Sequence, residues 1–404
     1  MKKNFIDNLE LRKLDSSDLE EFNRLLRYAF QVTDNELLEA GWSNDEIKLS
    51  KNPVLEKAQV WGYFEGKSLV SQIALYPMQM NIYGKIYQMG GVTGVATYPE
   101  YSKMGLMKNL MKIALKTMRE NQQSVSCLYP YSISYYRSRG WEVVSDKMTF
   151  CLKDTQLPKT FPTQGRIRRV EIDDRDFIEL YDRFARQTHG CLIRDSLSWD
   201  EYWRWDKEDE IVAVYYNENE VATGYVVYLL ENDIFFIKEM IYLDMEARMG
   251  LWNYVKAHES MFNEIQGCNY NNECLSFLLE DSDIKEMIMP HIMARIVDVE
   301  LFLKDFHFDE IDSKTSLTFE ITDSLLEWNN KIITLKFEKD RTSFTQEESK
   351  NRVKLDIQTF AAMFLGYRRP FYLKQIGRLE ASARAIKILE DVLPEGKVYF
   401  SDSF

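Results

Sequence analysis

Apolar and polar positions alternate over Gln59–Phe64 and again over Leu69–Leu75, on either side of the turn Glu65-Gly66. A period of two around a glycine turn predicts a β-hairpin. The alternation returns over Met78–Tyr83 and Lys85–Gln88 around Gly84, and a β-rich run, Val92–Thr97, follows. A short strand over Leu9–Leu14 precedes them. Leu19, Phe22, Leu26, Ala29 and Phe30 recur at helical spacing, with Ser17 and Glu20 placed as a capping box. Asn35–Leu49, which carries Trp42, reads as a second helix or a lid segment. Leu106, Leu110, Ile113 and Ala114 mark a helix that opens near Gly105 and ends near Asn121; Ser124–Tyr129 is the next strand. Thr160–Arg168 is a basic connector with proline and glycine, and beyond it the order restarts. A helix over Ile172–Arg186 leads to strands over Ile211–Tyr216 and Val221–Tyr228, to a strand pair or one long strand over Ile234–Asp244, then to a helix through Leu251, Val255 and His258. The last part predicts strands at Val297–Leu303, Leu317–Ile321, Ile332–Phe337 and Val353–Ile357. Short helices at Thr359–Leu365 and Phe371–Arg378 and an amphipathic helix at Ser382–Leu393 complete it.

The repeated order of hairpin, strand, loop and helix points to a duplicated domain. The short matches Lys103-Met104-Gly105-Leu106 and Arg248-Met249-Gly250-Leu251 suggest where the two copies align.

The stretch Gly90–Trp141 is the richest in chemistry. Pro99 closes its strand, since proline lacks the N–H a central strand needs. Ser102–Gly105 is a polar turn before a helix whose first N–H groups lack intrahelical partners. Such a turn suits a diphosphate, with Gly105 allowing close backbone approach and Lys103 adding a cation. An ordinary strand–turn–helix joint has the same pattern. Tyr135 and Tyr136 precede Arg137-Ser138-Arg139-Gly140-Trp141. They fit either an aromatic domain edge or a phenol that protonates a leaving thiolate, the free pKa values being about 10 and about 8.5. The second copy carries Asp244 and Glu246 beside its turn, and their charge repels a diphosphate. Only the first copy is therefore expected to bind one.

Val-x-x-x-Pro-x-x-x-x-x-Gly-Leu followed by Tyr-Tyr-Arg-Ser-Arg-Gly-Trp resembles the enhanced intracellular survival (Eis) branch of the GNAT N-acetyltransferases. Arg295-Ile296-Val297-Asp298-Val299 resembles that family's entry into its third domain. Ser102 and Met107 depart from the generic Gln/Arg-x-x-Gly-x-Gly/Ala motif, of which Gly105 remains. The resemblance implies an α/β (α+β) chain of tandem GNAT-like domains followed by a sterol-carrier-protein-like α+β domain. Residues 1–155 would be catalytic, 156–292 a degenerate copy, and 293–404 the sterol-carrier-like domain. It further implies acetyl-CoA as acyl donor. Lys103, Met104, Gly105, Leu106, Met107 and Lys108 would hold its pyrophosphate. Val95, Ala96 and Thr97, with Tyr131 and Ser132, would hold pantetheine and acetyl. Tyr136 would be the general acid, and the α-carboxylate of the terminal residue, Phe404, the base. An α-carboxyl of pKa about 3.5 is a weak base for an ammonium of pKa about 10. It could act through water, hold the ammonium, or have its pKa raised by burial. Trp42 and its neighbours would border the acceptor site, unless the ring is core packing. The family resemblance implies a homohexamer.

Composition narrows the rest. A net charge of −13 speaks against nucleic acid or an anionic membrane as main partner, and permits a small cationic amine such as a polyamine or aminoglycoside. No apolar run is long enough to span a membrane. The start has no apolar leader stretch. Cys127, Cys151, Cys191, Cys268 and Cys274 are scattered, as in a reduced, cytoplasmic protein without a zinc site, and the four histidines lack metal-ligand spacing. Two rivals stand beside the acetyltransferase. One is a tandem acyltransferase with another acyl donor or a peptide acceptor, as in the N-myristoyltransferases. The other is a lipid- or ligand-binding protein with a decayed catalytic domain.

Overall fold

The computed structural model describes residues 8–39, 41–204, 210–270, 273–311, 314–339 and 341–404. The start read above as lacking a leader falls on residues 1–7, outside the described residues. Three sheets carry the chain.

The first sheet takes β1 (Glu10–Lys13), β2 (Gln59–Glu65), β3 (Ser68–Ile82), β4 (Lys85–Thr97), β5 (Val125–Leu128) and β6 (Glu142–Val143). Four strands expected separately between Leu69 and Thr97 are two long ones, of 15 and 13 residues, paired along their length. A bulge absorbs the mismatch: Ala74 faces Thr93 while Gln72 faces Ala96, and Gly94 takes a positive φ of 58°. Helix α1 (Leu19–Phe30) lies on one face, followed by α2 (Asp34–Glu39), α3 (Asn44–Leu49) and α4 (Asn52–Lys57). The expected lid over Asn35–Leu49 is thus two short helices. The capping box at the entry to α1 uses Asp15 and Asp18 in place of Ser17 and Glu20. Helix α5 (Leu106–Glu120) covers the other face, and α6 (Ile133–Arg137) follows β5.

The second sheet contains β7 (Asp146–Lys153), β8 (Arg166–Val170), β10 (Ile211–Tyr216), β11 (Ala222–Glu231), β12 (Ile234–Tyr242), β13 (Glu264–Asn269) and β14 (Lys285–Pro290). Its helices are α7 (Arg175–Gln187), α8 (Ser196–Trp203) and α9 (Met245–Lys256); β9 (Leu192–Ile193) pairs instead with β3 of the first sheet. Two strands cross the boundaries expected from sequence. β7, before residue 155, pairs with β13 and β14 of the second sheet. β15 (Met293–Ile296), beyond residue 292, lies between β5 and β6 of the first.

The third sheet, β16 (Thr315–Thr322), β17 (Lys331–Glu338), β18 (Arg341–Thr345), β19 (Arg352–Asp356) and β20 (Leu379–Ala381), is entered through α10 (Val299–Asp305). The expected strand Val297–Leu303 is therefore mostly helix. Asp298 caps it by accepting from Leu301 N, and the buried Val299, Phe302 and Leu303 share a helical face. The cap and the core contacts override the strand expected there. Helices α11 (Ile357–Phe364), α12 (Pro370–Gln375) and α13 (Ala383–Val392) complete the domain.

The first and third domains share a core that runs from Phe22 and Met78 through Phe302 to Phe319 and Phe364. All three domains meet at His189. Its ring stacks on Tyr83 at 3.7 Å, accepts from Tyr83 N through Nδ1, and pairs through Nε2 with Leu365 O. Burial pushes its pKa down to about 4, so it stays neutral.

Candidate functional site

β4 and β5 run parallel and pair only from Met89–Val125 to Gly91–Cys127. Beyond that point they diverge, and the edge of Val92–Thr97 that faces β5 pairs with no strand among the described residues. Such an edge offers backbone donors and acceptors to whatever lies in the gap. The side chains of Val95, Ala96 and Thr97 are engaged elsewhere. Val95 packs toward α5, Ala96 is buried on the opposite face, and the Thr97 hydroxyl is 2.7 Å from Ser71 Oγ. These positions therefore offer the gap main chain.

The gap leads to the start of α5. Pro99–Tyr101 forms one 3-10 turn, and Lys103 and Gly105 both take positive φ, 62° and 87°. Nothing lies within 4 Å of where a Gly105 side chain would begin. No side chain caps α5 and no acid stands in its first turn. The first N–H groups of the helix, at Leu106, Met107 and Lys108, are thus free of a side-chain cap. Ser102, Lys103 and Lys108 are exposed around them, while Leu106 is buried and Met104 and Met107 pack partly against the core.

The second copy resolves differently from its sequence match. Gly250 lies inside α9, where a side chain would strike the Tyr215 ring. The residue that corresponds to Gly105 as the helix cap is Asp244, which accepts from Ala247 N at 2.7 Å. Met-Gly-Leu is a coincidence of composition. Glu246 accepts from Gln164 N and Tyr215 Oη at 2.8 Å, so the connector is drawn against this helix start.

Past β5, Tyr131 is 88% exposed and Ser132 caps α6, its hydroxyl accepting from Tyr135 N. Tyr136 is buried edge-on between Tyr135, at 5.2 Å, and Trp141, at 6.2 Å. Burial pushes its pKa up to about 12, with the nearby phenol of Tyr135 adding to the rise. The Tyr-Tyr-Arg-Ser-Arg-Gly-Trp run also has a structural task. Gly140 leaves room for the Arg295 guanidinium, which donates to Arg139 O and forms a fully buried pair with Asp323 at 2.5 Å. Any side chain at Gly140 would collide with it.

The C-terminal segment leaves α13 and runs between the first two domains. Tyr399 N donates to His189 O at 2.9 Å. Arg194 is buried between Glu239 (2.9 Å) and Asp402 (2.7 Å), under the rings of Tyr181 and Tyr202. Ser401 Oγ donates to Glu239 at 2.7 Å. So held, the tail delivers the Phe404 ring against Gly91, where a side-chain carbon would lie 2.8 Å from it. Gly91 is the last paired residue before the gap opens.

Tyr76, with its ring 6.0 Å from that of Phe404, donates to Glu201 Oε1 at 2.9 Å. Glu201 also holds Arg204 and, at 3.3 Å, Lys51. Burial pushes Lys51 down to about 8, with Glu201 opposing. Phe404 and Tyr136 pack in clusters on opposite faces of the first sheet, with the gap between them. Trp42, half-buried, stands just beyond α2.

Sequence reasoning missed Arg194, Glu239, Asp402, Tyr76, Lys51 and Glu201. Asp402, an acid within an aromatic tail, carried a local signal; the others carried none. All five cysteines are unpaired, and no group of metal-ligating side chains is placed to hold an ion among the described residues. No helix among the described residues is long and apolar enough to cross a membrane.

Comparison with known proteins agrees with this architecture. Residues 10–144 and 190–296 each match an acetyltransferase (GNAT) domain family, and residues 299–401 match the sterol carrier protein domain. The chain is 27% identical to a probable N-acyltransferase of Enterococcus faecalis V583, a conserved protein of unknown function. That structure superposes with a TM-score of 0.88 over 98% of this chain and 99% of the other. Eis1 of Mycobacterium abscessus, 17% identical, has the same fold, with a TM-score of 0.81 over 98% of this chain and 100% of its own. An uncharacterised N-acetyltransferase of Streptomyces griseus is 20% identical over 348 residues, 78% of this chain and 80% of that protein.

Proposed function

The chain belongs to the GNAT N-acetyltransferases, with two such domains ahead of a sterol carrier protein domain, and from that premise we propose that it acetylates a primary amine of a small cationic acceptor. Acetyl-CoA is the donor, the first domain is the catalytic one, and the second is degenerate. The observation that carries this reading is the contrast between the two helix starts. α5 is uncapped, free of acids in its first turn and placed at the mouth of an open gap; α9 is capped by Asp244 and crowded by its connector. An uncapped start is where a diphosphate is stabilised.

In this reading Lys103–Lys108 hold the pyrophosphate. The backbone of Val95–Thr97, with Tyr131 and Ser132, faces pantetheine and acetyl. The amine attacks the thioester carbonyl directly, a C–N bond forms as the C–S bond breaks, and Tyr136 gives its phenolic proton to the departing thiolate. The proton lost by the attacking nitrogen passes to the Phe404 carboxylate, directly or through water. The negative field of the chain favours a cationic acceptor such as a polyamine or aminoglycoside. The protein works in the cytoplasm as a homohexamer.

Coenzyme A release from acetyl-CoA across a panel of polyamines and aminoglycosides tests the proposal. Lys103→Glu raises KM for acetyl-CoA about tenfold, the ~1.4 kcal/mol expected for reversing a charge near a diphosphate in an exposed loop, and leaves kcat near its wild-type value. Unchanged KM would move the donor away from this turn. Tyr136→Phe lowers kcat roughly 100-fold or more. Because burial holds the Tyr136 phenol up at about 12, it stays protonated as pH rises. The wild-type rate therefore climbs with acceptor deprotonation and shows no alkaline fall until pH nears that value. An alkaline limb close to pH 9 would assign the acid to another group. Retention of acetyl-CoA without turnover across the panel points to a different acceptor; failure to bind acetyl-CoA favours a ligand-binding protein.

A further inference from the structure

The second domain repeats the opening between its parallel strands. β12 and β13 pair from Ile234–Glu264 to Ile237–Gly267 and then separate. A cavity of about 230 Å³ occupies the separation. It is lined by Ile237 and by Glu239, Met240, Ile241 and Tyr242 of β12, by Cys268 and Asn269 of β13, by Trp252 of α9 on one face, and by Tyr399 of the C-terminal segment on the other. The space therefore passes through the sheet. It is smaller than the ~300–1,000 Å³ of pockets for drug-sized ligands.

Its chemistry differs from that of the first gap. Asp244 and Glu246 occupy the helix start with carboxylates and connector amides, so nothing there favours a diphosphate. Tyr242, Trp252, Tyr270 and Tyr399 present aromatic rings. Asn269 Oδ1 is buried and accepts no hydrogen bond. Glu239 reaches the wall from a cluster in which two carboxylates share the single guanidinium of Arg194. Of the cations nearby, Arg248 is paired with Glu273 at 3.0 Å and lies 5.3 Å from the Tyr242 ring centroid, Lys147 lies 5.9 Å from that of Tyr270, and Lys397 is exposed to solvent at the rim. Charges of the two signs balance around the cavity, and the aromatic faces with an unsatisfied carbonyl favour a cation that donates hydrogen bonds.

We propose that this cavity is a second binding site, for a small organic ammonium with an apolar or aromatic body, separate from the acyl-transfer gap of the first domain. Nothing in it depends on the catalytic assignments made above. The ammonium would donate to Asn269 Oδ1, with its body among the rings of Trp252 and Tyr242.

The test is calorimetric titration of the full chain, without acetyl-CoA, using phenethylammonium, phenylacetate and phenethyl alcohol. Phenethylammonium is expected to bind at least tenfold more tightly than the other two. Met240→Trp, which places a large ring in the cavity wall, and Asn269→Leu, which removes the unsatisfied carbonyl at similar volume, should each weaken it by tenfold or more. Thermal melts and circular dichroism establish that each variant is folded. Lys103→Glu should leave the ammonium affinity unchanged. No measurable binding, equal affinity for phenylacetate, or wild-type affinity in both folded cavity variants would overturn the proposal; the last result would place the ammonium in another site, such as the acceptor side of the first gap.

Discussion

Extending the chain by a short peptide after Phe404 is expected to lower kcat/KM by about 10²–10⁴-fold while the protein stays folded, the range associated with loss of a positioned proton acceptor. The reason is geometric. Phe404 packs on Gly91, the last residue before β4 and β5 separate, and beside Tyr76. An added residue removes the α-carboxylate and must itself find room at that point. The rest of the tail has its own anchors at Tyr399, Ser401 and Asp402, so the fold has no need of a free terminus. Circular dichroism and acetyl-CoA affinity should match wild type. Equal turnover by the extended chain would exclude a catalytic terminus and leave Tyr136 in need of another base.

Arg194→Met should produce the largest loss of stability. Arg194 and Glu239 are wholly buried and Asp402 nearly so. Removing the cation leaves two carboxylates uncompensated, at a cost of about 3–5 kcal/mol. Burial then pushes both carboxyls above their unfolded pKa values, so the folded variant holds more protons than the unfolded chain. Its stability therefore rises as pH falls, and its deficit against wild type should shrink between about pH 8 and about pH 5.5. Denaturant unfolding at the two pH values measures this. A deficit that is constant with pH would mean that the loss is one of packing, as the rings of Tyr181 and Tyr202 against the guanidinium also allow. Since Asp402 stands two residues before Phe404, the variant should also lose turnover without losing acetyl-CoA affinity. Arg194→Lys, which restores charge without the two-pronged geometry, should recover part of both.

Much of the architecture was legible because it is written in local pattern. The alternating hairpins, the helical face of α5, the restart after Arg168 and the amphipathic α13 each follow from side-chain period over a few residues. The helix start at Gly105 was legible for the same reason, since strand, proline, glycine and helix follow one another directly. Where local signals conflicted, the reading failed. Val297–Leu303 was expected as a strand, yet the Asp298 cap and the buried face of Phe302 make most of it a helix. Arg248-Met249-Gly250-Leu251 looked like a second glycine turn, yet it is one turn inside α9, because Asp244 starts the helix earlier.

By itself, then, the sequence determined the tandem order of α/β units, the third α+β unit and the turn at Lys103–Leu106, all of which depend on neighbours along the chain. Only the tertiary structure decided that β7 joins the second sheet and β15 the first, and that Arg194, Glu239 and Asp402 form one buried cluster. It alone brought Phe404 to Gly91 and Glu201 to Tyr76. These pairs lie more than a hundred residues apart. Nothing in their spacing marks them, and their partners are chosen by which surfaces must leave water together and which buried charges must then be neutralised.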